Sequence, residues 1–435
     1  MGQKFPVLIT SPDGTKRYSA QFQTQEEFAK GWKSALEKAH SRNGLNLTIS
    51  CGCRGKGKKL LCVRHLSSSD SYHLARYPTT GTDHEPLCEF FALDDKTSGL
   101  KGYAGGVLRE STDGMLAIKL NVGLTEKDPP EKDDCPPRPP IQRPAGGQDQ
   151  MTLMGLLSLL WTEAGLNCWY PGMAGKRNDS VVRYRLYEAA RRIRSGKTCI
   201  ADRLFIGTDP RHSAAMKQTE LLSSEAYKDK RLMLLSTLPR YDEEKHEASL
   251  KFLPFRYFGG LPITFFGSSG QWKNVCTRFP SEYAAWKAGG KVVVFALTSP
   301  ADTTRRGISV RAQQIVLMHI TENWIPLDSS YESTVASKLD NEQRSYIKPM
   351  RYDASVSEVF PDFVLLDTRG STPFPMEVFG MSTPAYQARK ALKMDFYNRE
   401  FGHYGWWYWD ATVNNKPESL PAFPEKAQIQ SSEPE

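Results

Sequence analysis

The chain contains no run approaching the roughly 18 consecutive apolar residues that a membrane helix requires. Its longest apolar stretch, around Leu153 to Leu160, is broken by Gly155 and Ser158. The opening residues, MGQKFPVLITSPDG, lack the long apolar segment and small-residue cleavage site of a secretory signal. A soluble, cytoplasmic protein with no membrane association is therefore expected. Internal repeats are absent, and so is any local Ser/His/Asp signature of a nucleophilic hydrolase. Charge of neither sign dominates: 57 basic and 49 acidic residues give a net charge of +8, spread along the chain rather than gathered in a tail. Such a balance, with an isoelectric point near 8.9, permits nucleic acid or another polyanion as a partner without requiring one.

Apolar residues make up 39% of the chain and aromatics 11%, with nine Trp, enough to bury several cores. Single cores stop growing at about 250–300 residues, so 435 residues imply two or three domains. The clearest boundary is TEKDPPEKDDCPPRPPIQRPAGGQDQ, too rich in proline, glycine and charge to pack. It divides the chain into an N-terminal α/β region with a Cys/His module (1–123), a disordered linker (124–150), an α/β middle region (151–310), a C-terminal αβ domain (311–413) and a disordered tail (414–435). The expected class is a multi-domain mixture of α+β and α/β.

Within these regions, Phe28, Trp32, Leu36 and Ala39 recur at helical spacing and predict a helix from Glu26 to Ala39. MTLMGLLSLLWTEAGL and RNDSVVRYRLYEAARRIRSG predict two more. The β-branched and aromatic runs EFFAL, MLAIKLNV, RLMLLSTL, KFLPFRYF, LPITFFG and KVVVFALTS predict strands. The run Arg194-Ser195-Gly196-Lys197-Thr198 has the end of a phosphate-binding loop. Arg191 stands where that motif requires Gly, however, and a helix precedes it, so it is set aside.

Cysteine is scarce but unevenly placed. Four of the eight lie between Cys51 and Cys88, and Cys135, Cys168, Cys199 and Cys276 are scattered. In a reducing compartment such a cluster points to metal rather than to disulfides. Cys51-Gly52-Cys53 sets two thiols one residue apart, and Gly52 allows a tight turn at positive φ. His84 and Cys88 follow, four residues apart. Cys51, Cys53, His84 and Cys88 are the favoured ligands of a structural zinc, since a closed four-ligand site leaves no position for water. Cys62 and His65, in the alternating stretch LLCVRHL, are the substitutes, and reduced cysteines filling a core are the alternative. Arg54, Lys56, Lys58 and Lys59 on the adjoining glycine-rich loop are candidate phosphate contacts, or a solvated turn.

The segment from Ser329 to Ala411 reads as helix, strand, strand, turn, strand, helix, strand. Two strands carry an acid where an apolar residue is usual: Asp362 after Pro361, and Glu377 between Met376 and Val378. Paired strand carboxylates need compensation, which a divalent cation supplies. This layout resembles the PD-(D/E)XK nuclease superfamily, whose restriction-endonuclease-like core holds magnesium through an Asp on one strand and an acid on the next. In that superfamily a Lys follows two residues after the second acid; here Phe379 stands there. In a subset the cation comes from the following helix, where Tyr386, Lys390 and Lys393 share a face. The resemblance implies magnesium held by Asp362 and Glu377, charge stabilisation by Lys393 or Lys390, a further acid from Glu332, and phosphate contact by Lys348. It implies a metal-dependent nuclease acting on DNA. The alternative is a non-catalytic nucleic-acid-binding or scaffold protein with an inactive core. His403, Tyr404, Trp406, Trp407, Tyr408 and Trp409 are candidates either for base stacking or for a closing core strand.

Taken together, the CGC doublet, the HEPLC element, LLWTEAGLNCWYP, and the run from WIPLDSSYE through KPMRYD and FPDFVLLD to MEVFGM resemble a bacterial family of unknown function, domain of unknown function 1173. Its members often occur on plasmids and integrative elements, which implies a role in DNA maintenance, transfer or defence.

Overall fold

The computed structural model describes residues 2–41, 47–66, 70–77, 80–94, 97–111, 115–125, 148–207, 227–246, 263–266, 270–304, 307–355, 358–369 and 373–427. Among these residues it is a mixed α and β fold with four sheets. Among the described residues no helix is long and apolar enough to cross a membrane.

The N-terminal sheet is built from β1 (Val7–Ser11), β2 (Gly14–Tyr18), β3 (Thr48–Cys51), β4 (Leu60–Leu66) and β5 (Ser71–Arg76), in the order β2-β1-β3-β4-β5, all antiparallel. A helix, α1 (Ala29–Ser41), lies on β4 and β5 and buries Leu36 and Ala39, two of the four residues whose spacing predicted it. Glu26–Phe28 form a separate 3-10 turn ahead of it. EFFAL, expected as a strand, instead continues the turn after Cys88, because Phe91 N–H bonds Cys88 O at 3.0 Å and Phe90 drops into the core of this sheet.

Four short strands, β6 (Leu108–Glu110), β7 (Leu116–Ile118), β9 (Ile193–Ser195) and β10 (Thr198–Cys199), form a second sheet. Between them along the chain come α2 (Leu153–Glu163), β8 (Cys168–Trp169) and α3 (Asp179–Arg191). Thr152 caps α2 and Asn178 caps α3, each accepting a backbone N–H with its side chain. The Gly-Lys-Thr stretch is the turn of the β9–β10 hairpin, with Thr198 opposite Ser195 and Gly196 at φ 58°.

The largest sheet contains β11 (Leu204–Ile206), β12 (Met233–Thr237), β13 (Ile263–Phe266), β14 (Lys291–Thr298), β15 (Asp302–Thr304), β16 (Gly307–Ile320) and β17 (Pro326–Leu327). Its 14-residue strand β16 runs through the boundary placed at 310/311. One core extends from Val107 to Tyr352 across that position, so the two regions fold around shared packing. KFLPFRYF and residues 126–147 of the proposed linker lie outside the described residues.

The last sheet combines β8 with β18 (Tyr346–Ile347), β19 (Phe363–Leu365), β20 (Phe374–Phe379) and β21 (Trp407–Asp410), in the order β21-β20-β19-β18-β8. β18, β19 and β20 are antiparallel neighbours and β21 runs parallel to β20. One face is covered by α4 (Ser330–Asn341), which buries Val335, Ala336 and Leu339 against Phe363, Leu365 and Met376. The other is covered by α5 (Pro384–Phe401), whose Tyr397 packs with Phe379 and Trp406. Residues 414–427, expected as disordered tail, pack on this layer. Trp407 Nε1 donates to Ala422 O at 3.2 Å, Arg344 to Pro424 O at 2.9 Å, and Leu420 is buried.

Candidate functional site

Two groups of side chains stand out, one at each end of the chain. At the N-terminal sheet, Cys51 closes β3 and its N–H bonds Lys59 O at 2.9 Å, which folds the Gly-rich loop back on itself. Gly52 is not at positive φ; what it supplies is close approach, since a Cβ there would lie 2.9 Å from Pro6 O. Gly55 and Gly57 pack directly against Asp83, leaving no space for side chains. Lys59, at φ 51°, turns inward and its ammonium donates to Cys53 O and Gly55 O at 2.7 and 3.1 Å, so it belongs to the loop's own structure. Arg54, Lys56 and Lys58 are left exposed on the rim.

This packing brings Cys51, Cys53, His84 and Cys88 together, with one ligand atom of each within 4.8 Å of every other. All four are buried. The sulfurs of Cys51 and Cys88 are 3.7 Å apart, and His84 Nδ1 lies 3.6 Å from Cys53 Sγ and 3.7 Å from Cys88 Sγ. Around a tetrahedral ion with metal–sulfur bonds of about 2.3 Å and metal–nitrogen bonds of about 2.05 Å, ligand–ligand edges come to about 3.8 and 3.6 Å. Three of the cluster's edges already match those lengths, and it could bind a metal such as zinc. A thiolate is favoured at Cys51, pulled down to about 4 first by the hydrogen bond from Cys88 against the cost of burial. His84 Nε2 is buried without a hydrogen-bond partner among the described residues. The substitutes lie elsewhere: Cys62 is buried within β4, and His65 bonds Asp70 at 2.9 Å.

At the other end, Asp362 and Glu377 stand at neighbouring positions across two strands. Phe363 pairs with Met376, so the register carried one residue further sets Asp362, just before β19, opposite Glu377 in β20. Asp362 also accepts the Val378 N–H at 2.8 Å. Glu377 is 1% exposed. Lys393 Nζ lies 3.0 and 2.9 Å from its two oxygens, and Tyr397 O–H donates to Oε1 at 2.8 Å. Burial, and next the charge of Asp362, push the Glu377 carboxyl up to about 8 despite Lys393 and Tyr397.

A second buried ion pair adjoins this one. Ser329 caps α4 by accepting the Glu332 N–H at 3.2 Å, and Glu332 accepts the Asp328 N–H at 3.0 Å, an S-x-x-E pattern close to a capping box. Lys348, expected at a phosphate, is instead 2% exposed, with its ammonium 2.9 Å from Asp328 and 3.0 Å from Glu332. The physical reason lies in its place directly after β18, where the sheet and the start of α4 enclose it. Burial pushes the Glu332 carboxyl up to about 8, with Lys348 opposing. Asp362 acts electrostatically on both Glu332 and Glu377, so the two ion pairs form one network.

Lys390 is not part of it. Its ammonium pairs with Asp410, and only Lys393 reaches Glu377. Sequence reading missed Asp328 and Tyr397. Tyr397 had a signal, since Tyr386, Lys390, Lys393 and Tyr397 continue one helical stripe at i, i+4, i+7 and i+11; Asp328 had none beyond its position before the capping Ser329.

No curated protein and no solved structure matches this chain. Residues 18–412 match the family described as protein of unknown function (DUF1173), and the chain belongs to that family.

Proposed function

We propose that the C-terminal layer is a magnesium-dependent phosphodiesterase acting on DNA, and that the Cys51, Cys53, His84 and Cys88 cluster holds a structural zinc. The observation that carries the first part is that Asp362, just before β19, stands opposite Glu377 of β20, whose carboxylate Lys393 of α5 reaches. The order α4, β18, β19, β20, α5, β21, with β21 parallel to β20, supports the nuclease-like reading of this segment. It also supplies from α5 the cation that Phe379 does not.

Carboxylate oxygens on neighbouring strands are the donor set that magnesium takes, and Asp362 and Glu377 would hold it. Bound there, the ion would polarise a phosphodiester and lower the pKa of its water. Lys393 places an ammonium where negative charge grows on the phosphate oxygens. Tyr397 fixes the Glu377 carboxyl in one orientation. Lys348, Glu332 and Asp328 hold the start of α4 against β18, which keeps the layer around Asp362 rigid. The exposed Arg54, Lys56 and Lys58 supply phosphate contacts away from the site. For the zinc, four buried protein donors leave no open position, so its role is in folding.

A specific observation favours a second reading, in which the core is inactive and the protein binds nucleic acid or serves as a scaffold. Both oxygens of Glu377 are already occupied by Lys393 and Tyr397, so the network is satisfied without a metal. The deciding experiment is cleavage of single-stranded, double-stranded and branched DNA with magnesium by wild type and by Asp362→Ala. Cleavage by wild type alone is expected. Equal cleavage by both, or by neither, would overturn the hydrolase.

A further inference from the structure

β21 is the edge strand of the C-terminal sheet, and the two faces of its sequence differ. Trp407 and Trp409 point into the core shared with α4, whereas Trp406 packs on the α5 side with Phe379 and Tyr397. Strand alternation puts Tyr408 on the α5 side as well. In the parallel pairing Tyr408 stands directly beside Glu377. Asp362, Glu377 and Tyr408 therefore form a row across β19, β20 and β21, on strands about 4.8 Å apart.

Tyr408 is 41% exposed at the open end of this row, whereas Glu377 is closed in. Its ring is supported from behind: it stacks on Trp406 at 5.0 Å and 29°, and Trp406 stacks on Tyr397 at 4.9 Å and 23°. Tyr397 in turn bonds Glu377. The aromatic stack is thus anchored in the carboxylate site and ends in an accessible ring. Exposed large hydrophobic residues concentrate here too, since among the described residues all except Tyr184 lie between Met381 and Val413, including Tyr404 at 97%.

We propose that Tyr408 is a stacking platform for one unpaired base of a single-stranded or frayed DNA substrate. This rests on the phosphodiesterase reading, which places the adjoining phosphate at Asp362 and Glu377. A ring one strand away from those carboxylates is within a nucleotide's reach, and a fixed aromatic face binds any base through its π surface. Inside a duplex both faces of a base are covered by its neighbours. A single strand offers free faces at many unstacked bases, whereas a blunt duplex offers one only at each terminal pair, so the site favours unpaired over blunt paired DNA.

The test is fluorescence anisotropy with a labelled single-stranded oligothymidylate and a blunt duplex of equal length. Binding is measured with the full-length protein, without added magnesium, for wild type, Tyr408→Ala and Tyr408→Phe. Cleavage of the same oligonucleotides by wild type and Tyr408→Ala is followed separately with magnesium. Tyr408→Ala is expected to weaken single-strand binding about 10-fold and Tyr408→Phe to restore it, with the duplex bound more weakly and indifferent to either change. Unaltered melting of both variants shows that folding is intact. Equal single-strand binding by Tyr408→Ala and wild type overturns the platform, as does a duplex bound as tightly as the single strand. A dimer that Tyr408→Ala disperses, with oligonucleotide affinity unchanged, overturns it in favour of a second copy of the chain. An oligonucleotide bound through Tyr408 but never cut supports the platform and removes the hydrolase. Cutting that ignores Tyr408→Ala does the reverse.

Discussion

Replacing Cys88 by Ser tests the metal cluster most directly, because this sulfur lies 3.7 Å from both the Cys51 sulfur and the His84 ring nitrogen. With Cys88 gone, three donors remain, and serine is a hard, weak ligand for zinc at neutral pH. Structural zinc sites contribute about 10–16 kcal/mol in small zinc domains, which is as large as the whole stability of an ordinary domain, about 5–15 kcal/mol. The N-terminal sheet depends on this cluster for more than ligation. Cys51, Cys53 and Cys88 are part of its core together with Val7, Leu36 and Phe90. Wild-type protein is therefore expected to carry about one zinc per chain by elemental analysis, as a four-ligand site requires. Cys88→Ser should carry close to none and lose protection of the N-terminal sheet in hydrogen exchange. Cys62→Ser is the control: Cys62 is buried in β4 but outside the cluster, so this variant should be less stable yet keep its zinc. Full zinc content in Cys88→Ser, or its loss in Cys62→Ser, would refute the ligand set.

Lys393→Met leaves Glu377 buried beside Asp362 without its cation. Above about pH 8, where Glu377 is ionised, breaking a buried pair in this way costs about 3 kcal/mol, read by urea denaturation, and most of it should return when Glu377→Gln is added; an additive double mutant would show that the pair is not coupled. Lys390→Gln, which breaks the pair with Asp410, should reduce DNA cleavage less than Lys393→Met does. The pH dependence follows from Glu332 and Glu377, both raised from 4.5 to about 8. The folded state keeps protons that the unfolded chain has already released, so their stabilisation is full below about pH 4.5 and is lost as pH rises toward 8. Denaturation midpoints at pH 5.5 and 8.5 should differ in wild type and differ less in Glu332→Gln; an identical pH slope in the two proteins would exclude Glu332 as a source.

The Cys/His cluster was legible because its side chains come in two local pairs, each flanked by turn residues, and local spacing survives folding. The carboxylate pair was legible for another reason: an acid inside an apolar strand breaks the expected alternation. What could not be read depends on contacts between distant parts of the chain. Lys348 looks like a surface lysine in KPMRY, and nothing nearby shows that Asp328 and Glu332 enclose it. Cys168–Trp169 is too short for any period, yet it completes the C-terminal sheet by pairing with Tyr346–Ile347. Residues 414–427 look like a tail by composition, but Leu420 and Phe423 give them enough apolar surface to pack on Trp407.

The energetics of the C-terminal layer bear on why the network exists. All six residues of β20 are buried, five of them Phe, Pro, Met or Val, and a Leu at position 377 would continue that pattern. Instead the strand holds a carboxyl that burial pushes to about 8, and Lys393 and Tyr397 from α5 must satisfy it. Buried ion pairs of this kind are often less stable than apolar packing of the same volume, so stability alone does not account for it. Two of them, Glu377 with Lys393 and Glu332 with Lys348, both feel the charge of the partly buried Asp362. A scaffold needs only one closed sheet between two helices, which apolar residues supply at lower cost. On the proposed reading, a site that must stabilise charge gained by a bound phosphate needs polar groups fixed before the substrate arrives, and two ion pairs coupled to Asp362 would meet that requirement.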